Sequence, residues 1–157
     1  MKRLLIVEDE ANERFTLARL LEFAGYEVHT LPDAGEALQK LHEGTWHALI
    51  TDVMMPGHDG LSLAREVSLH LPNLPIVLTS AFHLGPNQLD RLGISLLHFL
   101  DKPLDLDTLL GILAHPDQVQ YPRRSQVPSL NLPCLQGQEG GAPDDFASHF
   151  GVVREAS

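Results

Sequence analysis

The sequence has little that would suit a secreted, membrane-spanning or nucleic-acid-binding protein. It contains a single cysteine, Cys134, which cannot form a disulfide within the chain and fits a reducing compartment. The apolar run after the N-terminus, Leu4 to Val7, is too short for a signal-peptide core, and no run approaches membrane-spanning length. Only 11 lysines and arginines stand against 21 aspartates and glutamates, and this net charge of −10 disfavours nucleic-acid binding. We therefore expect a soluble, cytoplasmic protein that contacts neither membranes nor nucleic acid.

The composition is sufficient for one folded domain with an appendage. The chain has 157 residues, of which 43% are hydrophobic, so it can build a core, but it is too short for two ordinary domains. Beyond Pro116 the character changes, because residues 119–157 are rich in proline and glycine and show no sustained periodicity. We predict a domain over residues 1–118 and a disordered tail over residues 119–157.

Within the predicted domain, short apolar segments alternate with segments of helical periodicity. Gly25 is expected to end the first helix, Asp33 to cap the second and Asp59 to cap the third, while the fourth helix is weak. The apolar segments, which we predict to be strands, are Leu4–Val7, Tyr26–Val28, Ala48–Thr51, Pro75–Thr79 and Leu96–Phe99. Five β/α alternations with short links indicate an α/β fold, with a parallel sheet covered by helices on both faces.

Polar and acidic residues follow four of the predicted strands. They are Glu8-Asp9-Glu10 after the first, Asp52 after the third, Thr79-Ser80 at the fourth and Asp101-Lys102 after the fifth. The carboxyl ends of parallel strands meet at one edge of a sheet, so these side chains should form a single small site. Clustered carboxylates repel one another, and a divalent cation with oxygen ligands, such as Mg²⁺, would relieve that repulsion.

These motifs together resemble the receiver domain of two-component response regulators. Residues 52–60, Asp-Val-Met-Met-Pro-Gly-His-Asp-Gly, match the phosphoacceptor loop of that family at every motif position. Leu4 to Glu10 resembles its first strand and acidic pair, although Glu8 stands where aspartate is commoner, and Lys102-Pro103 matches its Lys-Pro pair. The resemblance implies a doubly wound (βα)5, flavodoxin-like sheet with strand order 2-1-3-4-5.

The resemblance also implies the chemistry of the site. Asp52 would accept a phosphoryl group from a sensor histidine kinase or a histidine phosphotransfer protein. Mg²⁺ would be held by Glu8, Asp9, Asp52 and the backbone carbonyl of Met54. Lys102 would neutralise charge on the transferring oxygens.

The resemblance further implies a conformational switch. Ser80 stands where the family has its Thr or Ser, five residues after Pro75, although the adjacent Thr79 is an alternative. Once Asp52 is phosphorylated, Ser80 would bond the phosphoryl group and Phe99 would turn inward. The output would be a protein–protein contact with a downstream protein that the sequence does not identify, and the only catalysis would be the protein's own phosphorylation and slow dephosphorylation.

Two other functions are compatible with parts of the pattern. A pseudo-receiver would bind a protein partner without control by phosphorylation, although the complete set of site residues argues against it. An aspartyl-phosphate phosphatase would need a second acidic residue two positions after its nucleophile, and Met54 stands there. We therefore favour the phosphorylation-dependent switch.

Overall fold

A parallel sheet of five strands forms the centre of the protein, in a computed structural model that describes residues 1–118. The strands of this sheet are β1 (Arg3–Val7), β2 (Glu27–Leu31), β3 (Ala48–Asp52), β6 (Ile76–Ser80) and β7 (Leu97–Asp101), and between them lies a hairpin of β4 (Met54–Met55) and β5 (His58–Asp59). The order across the sheet is β2-β1-β3-β6-β7. Numbered within the sheet alone, this order is 2-1-3-4-5, so the predicted flavodoxin-like topology is confirmed. The tail predicted over residues 119–157 lies outside the described residues.

Five helices connect these strands. They are α1 (Ala11–Phe23), α2 (Ala37–His42), α3 (Gly60–His70), α4 (Pro86–Asp90) and α5 (Leu106–Ala114). Asp59 caps α3 as expected, because its carboxylate accepts a hydrogen bond from the Leu61 N–H at 2.9 Å. Gly25 follows the end of α1 with a φ of 95°, a left-handed conformation that glycine adopts without steric cost.

The core consists of two apolar layers, one on each face of the sheet. Along β1, Leu5 and Val7 face one layer, while Leu4 and Ile6 face the other, as the two-residue period of a strand requires. The first layer is completed by buried residues of α2, α3 and α4, and the second by buried residues of α1 and α5. The helices therefore cover both faces of the sheet, and the residues of the predicted site lie at the carboxyl ends of the strands.

Two local predictions require correction. Asp33 does not cap α2, which begins at Ala37; its carboxylate instead accepts a hydrogen bond from the Gly35 N–H at 2.8 Å. This local turn competes with helix capping, and short acidic side chains favour both. The second strand also reaches Leu31 rather than ending at Val28, because all five of its residues pair with β1.

The fourth helix, which the sequence predicts to be weak, is short. It has five residues and is attached to the core through Leu89, which is 2% exposed. Gly93 follows it with a φ of 66°. None of the helices in residues 1–118 combines the length and apolar character needed to cross a membrane.

Candidate functional site

Asp52 occupies the end of the central strand β3 and is 7% exposed. Its Oδ1 accepts a hydrogen bond from the Met54 N–H at 3.0 Å, which fixes the orientation of the carboxylate. The chain then folds back through the β4–β5 hairpin, and the Gly60 N–H donates to the Val53 carbonyl at 2.9 Å. A Cβ on Gly60 would lie 1.9 Å from the Asp52 carbonyl oxygen, so only glycine permits this close return.

Lys102 follows strand β7 and joins three carboxylates. Its Nζ donates to Asp52 Oδ2 at 2.7 Å, to Glu8 Oε2 at 2.9 Å and to Glu13 Oε2 at 2.5 Å. The Lys102 backbone N–H also donates to the Ser80 carbonyl at 2.8 Å, which anchors the start of the lysine side chain beside β6. All three donors of the ammonium group are therefore used within the site.

Burial and charge oppose each other in this cluster. Burial raises the pKa of Glu8 above its ordinary value, and the nearby Asp52 carboxylate adds to this effect, although hydrogen bonding to Lys102 opposes it. Burial alone would lower the pKa of Lys102, but its hydrogen bonds to the three carboxylates outweigh that effect and raise the pKa. When all four groups are ionised, three carboxylates and one ammonium leave a net charge of −2.

The donor set suits a hard divalent cation. Within residues 1–118, Glu8, Glu13 and Asp52 each offer one carboxylate oxygen, and these three oxygens lie within 4.8 Å of one another. Oxygen ligands and an excess of negative charge are what Mg²⁺ favours, so the residues present fit that ion. The single ammonium group leaves a net charge of −2, which the two positive charges of a divalent cation would balance.

The acidic residues that the structure brings together differ from those predicted from the sequence. Glu13, in the first turn of α1, joins the cluster, although it was not among the metal ligands predicted from the sequence. Asp9 is exposed, and its carboxylate lies outside this group, so its role as a metal ligand stays a prediction. The sequence signal for Glu13 is its position three residues after the N-cap Glu10, which ordinarily indicates only a capping acid.

The two candidate hydroxyl groups on β6 have different contacts. Thr79 pairs in register with Asp52, but its Oγ1 donates to the Thr51 carbonyl at 3.5 Å. Ser80 is 1% exposed, and its Oγ accepts a hydrogen bond from the Phe82 N–H at 3.0 Å. The Ser80 hydroxyl is thus tied to the loop after β6, the segment that a switch would have to move.

The predicted switch aromatic, Phe99, is half-buried on β7 against the first core layer. Its ring meets that of His83 edge-on, with 6.2 Å between centroids. His83 Nδ1 lies 3.2 Å from Asp101 Oδ2, which links the loop after β6 to the end of β7. Beside the site, the Met54 and Phe82 side chains are 60% and 66% exposed.

The fold agrees with the comparison to known proteins. The family model of the response regulator receiver domain matches residues 4–114. The chain belongs to the response regulator receiver domain family. The resemblance noted in the sequence is therefore confirmed, and it covers nearly all of the described part of the receiver.

Individual relatives give the same result at moderate identity. The receiver is 29% identical over 126 residues to the DNA-binding transcriptional regulator NtrC of Escherichia coli K12, a match that covers 78% of this chain and 27% of NtrC. It superposes on the chemotaxis protein CheY4 of Vibrio cholerae with a TM-score of 0.66 and 28% identity, over 73% of this chain and 97% of CheY4.

A third relative was solved together with a kinase. The receiver matches a chain in the crystal structure of histidine kinase ThkA in complex with response regulator protein TrrA, the latter from Thermotoga maritima. The TM-score is 0.66 at 30% identity, over 75% of this chain and 100% of that chain. This chain spans only about a quarter of the length of NtrC, so the receiver match does not extend to the other functions of that protein.

Proposed function

We propose that this receiver is a phosphorylation-dependent signalling switch that accepts its phosphoryl group on Asp52. The observation that carries the proposal is the three-way hydrogen bonding of Lys102, which places an ammonium group against a buried Asp52 carboxylate at the open edge of the sheet. A sensor histidine kinase or histidine phosphotransfer protein would donate the group. The ThkA–TrrA complex supports a kinase partner, because it pairs a histidine kinase with a relative of this chain.

The transfer is a nucleophilic displacement at phosphorus. An oxygen of the Asp52 carboxylate attacks the phosphorus of a phosphohistidine, and a new P–O bond forms as the P–N bond breaks. The imidazole nitrogen leaves with the electron pair of that bond, and the product is an acyl phosphate on Asp52. The Met54 N–H orients the Asp52 carboxylate. The Lys102 ammonium group, which donates to Asp52, would donate to the phosphoryl oxygens during transfer.

Glu8, Asp9, Asp52 and the Met54 carbonyl would hold Mg²⁺, with Glu13 beside them. A bound Mg²⁺ supplies positive charge that neutralises the phosphoryl oxygens during transfer. The fit rests on the excess negative charge and the oxygen donors of the cluster.

The switch would operate through the loop after β6. Ser80 would exchange its bond with the Phe82 N–H for a bond to a phosphoryl oxygen, and this exchange would draw the loop toward Asp52. Phe99, half-buried beside His83, would follow into the space that the loop leaves. The readout would be a contact with a downstream protein on the surface around α4, β7 and α5, with no catalysis beyond the receiver's own phosphorylation and dephosphorylation.

The test is phosphorylation by a small phosphodonor with Mg²⁺, followed by intact mass spectrometry. We expect one phosphoryl group on wild type, sensitive to hydroxylamine because it is an acyl phosphate, and none on Asp52→Asn. Asp101→Asn is the matched control, since it removes an exposed carboxylate near the site that contacts His83 rather than Lys102. Undiminished labelling of Asp52→Asn would refute the assignment, and an unlabelled wild type would favour the pseudo-receiver.

A further inference from the structure

Glu13 is the member of the cluster that the general receiver pattern does not explain. It lies in the first turn of α1, where its backbone N–H donates to the Glu10 carboxylate at 2.9 Å. Its own carboxylate points away from that cap and accepts a hydrogen bond from Lys102 Nζ at 2.5 Å. The side chain is 53% exposed, so it covers the solvent side of a site whose other carboxylates, on Glu8 and Asp52, are 6% and 9% exposed.

This contact changes how the ammonium group is shared. Lys102 donates to Glu8 and Asp52, so a divalent cation held by the same carboxylates would compete with it for their oxygens. Glu13 takes one of the three ammonium donors, so only two remain for Glu8 and Asp52. The buried carboxylates therefore keep more of their capacity for a cation than they would if Lys102 bonded to them alone.

The charge of Glu13 acts in the same direction. With Glu13 ionised the cluster has a net charge of −2, and without it the charge would be −1. The attraction for a divalent cation a few ångströms away falls accordingly, although solvent screens a half-exposed carboxylate.

We propose that Glu13 is a positioning residue of the phosphorylation site, which binds one donor of the Lys102 ammonium group, adds negative charge beside Glu8 and Asp52, and thereby strengthens the binding of Mg²⁺ to these two carboxylates. This inference rests on the proposed function in that it places Mg²⁺ at the same site. It adds a residue from α1 that acts through Lys102 and through its charge.

Three substitutions in the full chain separate the possible effects. Glu13→Gln keeps the length of the side chain and an acceptor oxygen but removes the charge, and Glu13→Asp keeps the charge but is one methylene shorter. Glu22→Gln is the matched control, because it removes one carboxylate from the same helix, where the Glu22 side chain pairs with the exposed Arg19. The Glu13 backbone bond to Glu10 is available to every variant, so α1 keeps its cap.

The measurement is Mg²⁺ affinity of the unphosphorylated protein, from isothermal titration calorimetry and from backbone amide shifts during a Mg²⁺ titration. We expect the Kd of Glu13→Gln to rise roughly threefold to tenfold, while Glu13→Asp stays within about twofold and Glu22→Gln matches wild type. A Glu13→Gln affinity equal to that of Glu22→Gln would overturn the proposal. Equal losses in Glu13→Gln and Glu13→Asp would also overturn it, since helix packing rather than charge would then be responsible.

A second readout follows Lys102 itself. Its ammonium protons should exchange with water more slowly in wild type and in Glu13→Asp than in Glu13→Gln, as seen in nitrogen-15 spectra of the lysine side chain. Exchange in Glu13→Gln that equals wild type would contradict the positioning role. Neither measurement uses a phosphodonor, so their outcome is independent of whether Asp52 is the phosphoacceptor.

Discussion

Replacing Lys102 with methionine tests the electrostatics of the site most directly. The substitution keeps the length of the side chain but removes the ammonium group that bonds three carboxylates. Removing one partner from a buried ion pair costs about 3–5 kcal/mol, because the remaining charge stays buried without compensation. Glu8 and Asp52 are 6% and 9% exposed, whereas Glu13 is 53% exposed, so solvent reaches one side of the cluster. We therefore expect a loss at the lower end, about 3 kcal/mol at pH 7.

The pH dependence identifies the source of this loss. The pKa of Lys102 is raised in the folded state, so its contribution is complete below the ordinary value of 10.5 and disappears as pH rises through the folded value. In Lys102→Met the penalty comes from ionised carboxylates, and it should shrink as pH falls toward 4.5, the ordinary value for Glu8. Mg²⁺ at a free concentration of ten times its Kd should also stabilise Lys102→Met, by about 1.4 kcal/mol.

The assay is urea unfolding at pH 7 and pH 4.5, with and without Mg²⁺. Lys40→Met is the control, because it removes a lysine that pairs with the exposed Glu43 at the C-terminal end of α2, and it should change stability little. The reasoning is refuted if Lys102→Met loses no more than Lys40→Met at pH 7. It is also refuted if the loss is the same at both pH values and in the presence of Mg²⁺.

Three further predictions follow from the same geometry. Gly60→Ala should destabilise the domain by about 1–3 kcal/mol or more in urea unfolding, because its Cβ would lie 1.9 Å from the Asp52 carbonyl oxygen; wild-type stability would contradict that close approach. Replacing Met54 with Asn and Phe82 with Glu should speed loss of the acyl phosphate by at least several-fold, about 1 kcal/mol in barrier, because polar groups in place of these exposed apolar side chains would orient water. Equal decay rates in wild type and the double variant would exclude control by these side chains. Burial raises the pKa of Glu8, so this residue stabilises the wild-type protein below pH 4.5, and the stabilisation is lost as pH rises through the pKa of the folded state. In urea unfolding, Glu8→Gln should remove this fall in the free energy of unfolding with rising pH. A pH dependence equal to that of wild type would assign the fall to another group.

Much of the architecture could be predicted from the sequence because it depends on short-range patterns. Continuous apolar runs such as Leu4 to Val7 are typical of strands covered on both faces, and the structure buries these four residues completely. Five such runs separated by helical segments leave few topologies, and the strand order was implied by the family resemblance. Asp59 capped α3 as predicted because capping depends only on neighbouring residues.

The convergence of Asp52 and Lys102 could also be anticipated. Both follow parallel strands, and parallel strands bring their carboxyl ends to one edge regardless of how the helices pack. The structure joins the two side chains at 2.7 Å although 50 residues separate them in the chain. Strand direction alone accounts for this pairing.

The part that only the tertiary structure decided concerns side chains on helices and in turns. A strand has two faces, but the direction in which a helical residue points depends on how the whole helix rotates against the sheet. The packing of α1 brings Glu13 to Lys102 and leaves Asp9 exposed, although Asp9 directly follows Glu8 in the chain. Asp33 likewise could cap a helix or close a turn, and the choice depended on where α2 began. Local sequence specified which groups reached the edge of the sheet, and packing decided which of them share the ammonium of Lys102.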